Sequence, residues 1–173
     1  MHPMPRLTAI TTIALSLTLS ACASTPPAPS ASYVIVRHAE KASDDPRDPN
    51  LSDAGRARAE RLASWLKNEP LGAVYATAYR RTQQTGEPTA RAHELSVTTY
   101  EAKQPAADFA AQLRRDRPQG TTLIVGHSNT APDIAAALCG CTVAPMPETE
   151  FDRRMRVDID ANGRALLTQS QDR

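Results

Sequence analysis

The 173 residues carry 20 basic and 19 acidic side chains, a formal net charge of +1 with the histidines neutral. That length allows one domain with a proper core and is too short for two ordinary ones. The charge balance lacks the basic excess of a nucleic-acid binder, so no nucleic-acid partner is expected.

The first segment does not read as part of a fold. Met1 to Arg6 holds the only early charge, and Leu7 to Ala21 is an apolar run, too short to span a bilayer but suited to an export signal. It ends in Leu19-Ser20-Ala21-Cys22, which resembles a bacterial lipobox. Cleavage before Cys22 would leave that cysteine acylated as the first residue. Ala23 after it resembles an outer-membrane sorting pattern, which places the domain in the periplasm with the lipid anchor as its membrane contact. Ala23 to Ser32, with three prolines and no periodicity, reads as an extended tether. The expected division is residues 1–21 as signal peptide, 22–32 as lipidated cysteine and tether, and 33–173 as one domain, with a monomer as the simplest state.

From Tyr33 onward, strand-like and helix-like pieces alternate, the mark of an α/β domain with helices on both faces of a mostly parallel central sheet. The first strand is Tyr33 to Val36. After a polar loop comes a helix capped by Ser52, with Ala59, Leu62, Ala63 and Leu66 as its apolar stripe and Pro70 beyond it. Ala73 to Ala76 is the second strand. The piece from Tyr79 to Glu94 should be helical, broken or kinked at Gly86 and Pro88. Val97 to Tyr100 makes the third strand, and a helix opened by Pro105 turns Phe109 and Leu113 inward. Thr122 to Val125 is the fourth strand. An alanine-rich helix from about Ala131 to Leu138 follows, with Pro132 in its first turn and Gly140 past its end. Arg154 to Ile159 and Ala165 to Thr168 form an antiparallel hairpin turned at Asn162-Gly163.

The chemistry sits at strand ends. Arg37-His38 follows the first strand and Gly126-His127 the fourth, and open α/β sheets bind ligands at the carboxyl ends of their strands. Two imidazoles can therefore share one crevice, and Arg37 suits that crevice to a phosphate. Three blocks, Val36-Arg37-His38-Ala39-Glu40-Lys41, Thr77 to Thr85 and Val125 to Thr130, closely resemble the histidine phosphatase superfamily, the phosphoglycerate mutase-like fold. The resemblance implies a three-layer α/β/α fold with a minimal cap. It makes His38 the nucleophile that forms a phosphohistidine, and puts Arg81, not Arg80, in the second phosphate-binding position beside Arg37 and His127. His38 needs its other ring nitrogen fixed, by a backbone carbonyl, so that the attacking lone pair faces the pocket. Two arginines and a second histidine supply the positive charge, so no metal or other cofactor is required. The family usually takes its leaving-group proton from an acid beyond the third strand. Glu101 is the first candidate here and Glu40 the second; members that act on phosphohistidine do without one.

The expected partner is a small phosphorylated substrate or a phosphoprotein, and hydrolysis is favoured over mutase-type transfer because the chain lacks room for enclosing helices. A non-catalytic anion-binding lipoprotein would use the same residues. Gly126 to Thr130 also looks like the G-x-S-x-G elbow of α/β hydrolases, with Ser128 as nucleophile, but no histidine follows His127 to complete a triad. Cys139 and Cys141 read as two buried thiols or as a disulfide across one residue, the thiols being simpler because such a bridge draws the Cα atoms together. His93 reads as exposed, Trp65 as packing at a helix edge, and Asp152 to Arg154 as a solvated strand entrance without a role.

Overall fold

The computed structural model describes residues 30–172, so the proposed leader, Cys22 and most of the tether lie outside the described residues. The elements are β1 (Ala31–Arg37), α1 (Asp53–Leu66), β2 (Leu71–Ala76), α2 (Arg80–Ala92), β3 (Val97–Thr99), α3 (Ala106–Asp116), β4 (Gly120–Gly126), α4 (Thr130–Cys139), β5 (Arg153–Ile159) and β6 (Ala165–Gln171). They build one sheet in the order β3-β2-β4-β1-β5-β6. The first four strands are mutually parallel, and β5 and β6 add an antiparallel edge. The expected three-layer α/β/α architecture is therefore the observed one.

Central position explains the sequence of β1. Flanked by β4 and β5 and covered on both faces, it is buried at every residue from Ala31 to Arg37, which a continuous apolar run satisfies and an alternating one would not. Ala31 and Ser32 belong to this strand and not to the tether, because Ser32 donates to the Asp158 carboxylate at 2.5 Å while its backbone pairs on both sides.

One face packs Val34, Val36, Leu123 and Val125 against Leu62 and Leu66 of α1 and Ala90 of α2. The other packs Tyr33, Ile35, Ile124 and Met155 against Phe109 and Leu113 of α3 and Ile134 and Leu138 of α4. Pro88 lies inside α2, which runs unbroken through it and Gly86. Packing against the sheet outweighs local propensity here: a Cβ on Gly86 would sit 3.0 Å from the Val74 side chain, so the glycine lets the helix close on β2.

Between α1 and the antiparallel edge of the sheet, charge replaces apolar packing. Asp172, 5% exposed at its side chain, accepts from Arg58 (2.7 Å), Arg61 (2.8 Å) and Arg154 (2.5 Å). The Arg154 guanidinium also lies 4.6 Å over the Trp65 ring. Arg153 donates to Glu150 and to the carbonyls of Ala144 (2.8 Å) and Pro145 (3.1 Å). The strand entrance is thus a set of paired, half-buried arginines, contrary to the solvated reading. His93 is half-buried too, its Nε2 3.1 Å from Leu66 O. The β5–β6 turn is longer than two residues: Ile159 pairs with Ala165, and Gly163 takes φ +80° to close it. Among the described residues no helix is long and apolar enough to cross a membrane.

Candidate active site

Three parallel strands end side by side and each delivers one site residue in its next position. His38 follows β1, Thr77 follows β2, and His127 follows β4. The His38 amide donates to Gly126 O at 2.9 Å, which locks the first turn to the third. Gly126 is required by space: a Cβ there would lie 2.9 Å from Thr130 Oγ1, the atom that accepts from the His127 amide at 2.9 Å. The two imidazole centroids come within 5.4 Å of each other.

His38 is 3% exposed. Its Nδ1 lies 2.8 Å from Ala39 O, a contact that puts the ring proton on Nδ1 and leaves the Nε2 lone pair free. Burial, with the charges of Arg37 and Arg81 and neighbouring His127 adding to it, pushes its pKa down to about 3. His127 is lowered to about 4, by burial first and then by Arg81 and Arg37. Its Nε2 sits 3.0 Å from Thr77 Oγ1, which in turn lies 2.8 Å from Thr82 Oγ1. Both rings are therefore neutral at pH 7.

Around them is a cleft of about 330 Å³ lined by His38, Lys41, Tyr79, Arg81, Lys103, His127, Ser128 and Glu148, among others. Arg81, from the first turn of α2, lies with its guanidinium carbon 4.3 Å over the Tyr79 ring, and its buried Nε has no hydrogen-bond partner among the described residues. An orphaned buried donor in a cleft that Lys41 and Lys103 also line suits an anion. Arg80 is exposed, as expected of the rim residue, and Asp48 lies 3.8 Å from its Nε and 3.6 Å from Arg81 Nη1. A larger hollow of about 740 Å³ lies between α1, α2 and the Ala42–Asn50 loop, and contains neither histidine.

Three residues differ from expectation. Arg37 does not line the cleft: its Nη1 donates to the carbonyls of Pro147 (3.0 Å), Glu148 (2.9 Å) and Glu150 (3.0 Å), its Nη2 to the Glu148 carboxylate (2.7 Å), and it stacks on Phe151. In this arrangement it holds the loop before β5. Glu40 is turned onto α1, where Arg58 donates to its carboxylate at 2.6 Å and holds its pKa below the usual range. Glu101 is exposed and is not among the cleft residues, whereas Ala102 and Lys103 are.

The residue that sequence reasoning missed is Glu148. Its carboxylate accepts from Ser128 Oγ as well as from Arg37. The sequence signal for it is indirect: an arginine buried at a strand end needs acceptors, and the loop Pro147 to Glu150 carries two carboxylates. Cys139 and Cys141 form a disulfide, not two thiols. Gly140 at φ +62° turns the chain left-handed between them, so the Cα atoms stay 5.2 Å apart, within the ordinary range.

No match was found among curated proteins. A family model, that of the histidine phosphatase superfamily (branch 1), matches residues 33–104. Among solved structures, the protein histidine phosphatase SixA in complex with tungstate superposes with a TM-score of 0.67 at 21% identity, covering 81% of this chain and 96% of that one. YhfR from Bacillus stearothermophilus gives 0.63 at 18% identity, over 83% and 98% of the two chains. A phosphoserine phosphatase from Entamoeba histolytica, in complex with 3-phosphoglyceric acid, gives 0.63 at 12% identity, over 83% and 98%. The matched segment holds the first two motifs, and residues beyond it complete the same fold with the glycine-histidine pair in place. Over residues 33–104 the chain is thus similar to the histidine phosphatase superfamily, and the described domain as a whole has the fold of these solved structures.

Proposed function

We propose that the protein is a phosphatase that hydrolyses phosphomonoesters, or phosphohistidine, through a covalent phosphohistidine on His38. The observation that carries this reading is the His38 ring itself: buried, neutral, and pinned through Nδ1 to Ala39 O, with Arg81 and His127 lining the same cleft. A nucleophile must keep an unprotonated lone pair at a fixed angle, and this ring does both. Nε2 forms the N–P bond as the ester oxygen leaves with its electron pair. The Arg81 guanidinium and a His127 N–H then donate to the equatorial oxygens as charge spreads over them, and water releases phosphate from His38 in a second displacement.

Hydrolysis is favoured over transfer to a second acceptor. Three residues, Thr77 to Tyr79, join β2 to α2, and the β3–α3 link is as compact as Tyr100 to Pro105, so neither supplies a cap to keep water out. The charged groups already in the cleft let the scheme run without a metal. We further propose that the protein is exported and acylated at Cys22, with its domain in the periplasm.

Rapid quench with radiolabelled p-nitrophenyl phosphate tests the chemistry. An acid-labile phosphoenzyme should accumulate in the native protein and be absent from His38→Ala. His127→Ala and Arg81→Ala should still form it, on the order of 100- to 1,000-fold more slowly, since each removes charge stabilisation and not the bonding atom. Labelling of His38→Ala would assign the nucleophile elsewhere.

A further inference from the structure

We propose that Glu148 is the acid that protonates the leaving oxygen. This rests on the phosphatase reading above. Among the described residues lining the cleft with His38 and His127, Glu148 is the one acid. The loop that carries it is fastened along its length: the Cys139–Cys141 disulfide holds its start, Arg153 binds the carbonyls of Ala144 and Pro145, and Arg37 binds those of Pro147, Glu148 and Glu150. So the backbone under Glu148 is fixed, whereas its side chain is 74% exposed and can turn without disturbing packed atoms.

Its partner inside the cleft, Ser128 Oγ, is also a good donor to a phosphoryl oxygen. Ser128 first, and then Arg37, hold the Glu148 carboxyl below the usual range, so it is ionised in the free protein. An arriving phosphoryl group competes for the Ser128 hydroxyl and sets negative charge beside the carboxylate. Each change favours the protonated acid.

The step then balances. As His38 Nε2 bonds to phosphorus, the P–O ester bond breaks with its electron pair on oxygen, and the Glu148 proton moves to that oxygen to give the alcohol. In the second half, the Glu148 carboxylate takes a proton from water while the water oxygen bonds to phosphorus, and the N–P electron pair returns to His38. Inorganic phosphate and a protonated Glu148 result.

Two substrates separate this role from a structural one. p-Nitrophenolate departs without a proton, whereas the alkoxide of glycerol 2-phosphate does not. Glu148→Gln should lower kcat/KM on glycerol 2-phosphate on the order of 100-fold or more and change that for p-nitrophenyl phosphate only a few-fold. Glu148→Asp should recover part of the glycerol phosphate rate, and Glu101→Gln should leave both substrates unaffected. Vanadate should inhibit Glu148→Gln at least as strongly as the native protein, because the side chain gives way to the anion. Equal slowing of both substrates with vanadate inhibition retained, slowing of neither, or weakened vanadate inhibition would overturn the assignment. A native protein that turns over neither substrate would sink the phosphatase reading and this inference with it.

Discussion

His38 and His127 couple catalytic readiness to a stability cost in acid. Their folded pKa values, about 3 and about 4, lie well below the 6.5 of a free imidazole. Above pH 6.5 neither the folded nor the unfolded chain holds these protons. As the pH falls below 6.5 the unfolded chain takes them up and the folded site does not, so stability declines until the folded rings titrate in turn. Each fully resisting histidine contributes up to about 1.4 kcal/mol per pH unit in that window, and His127, being partly exposed, contributes less. Urea unfolding at pH 7 and pH 5 should therefore show a loss that is smaller by roughly 2 kcal/mol in His38→Gln than in the native protein. An identical loss in the two proteins would mean that the folded His38 is not held neutral. Hydroxyls complete the same apparatus: Thr85 Oγ1 accepts from the Ala39 amide at 3.0 Å and holds the turn that carries His38, while Thr77 Oγ1 lies 3.0 Å from His127 Nε2.

At the scale of elements, the decisive contact is the start of α1 against the turn after β1. Ser52 donates from its amide to Glu40 O at 2.9 Å and caps the helix by accepting from the Gly55 amide at 3.2 Å. A Cβ on Gly55 would meet Glu40 O at 2.3 Å and Glu40 N at 3.0 Å, both backbone atoms. Helix propensity alone favours Gly55→Ala by about 1 kcal/mol. The clash wins, and the expected net loss is roughly 1–3 kcal/mol by urea midpoint. Because Glu40 lies two residues from the nucleophile, p-nitrophenyl phosphate turnover should fall with it. Gly72→Ala, with nothing within 4 Å, is the control and should change neither. These contacts show what was legible beforehand. The strands, the four helices and the grouping of His38, Arg81 and His127 follow from apolar runs, caps and motif order, each a local signal. The segment from Cys141 to Asp152 has no period to read, and its path is fixed by Arg37, about 110 residues earlier, and by Arg153. Glu148 was invisible for that reason. Position after β3, by contrast, points to Glu101, and the loop turns Lys103 to the cleft in its place.

For the whole molecule, the test of export is chemical. Radiolabelled palmitate should enter the full chain, and Cys22→Ser should abolish the labelling; an unlabelled native protein would remove the anchor. The fold then adds a geometric consequence. The chain enters the sheet at Ser30, whose amide donates to Ile159 O at 2.8 Å, and runs along β1 straight to His38. At about 3.3 Å per residue, Ser30 and His38 are separated by the strand's full length, roughly 25 Å. Whatever precedes Ser30 is thus attached at the base of the sheet, and the mouth of the cleft opens from the opposite end. Held to a surface by that base, the domain would present its two histidines outward to the surrounding solution, where a phosphorylated domain could reach them without first approaching the lipid.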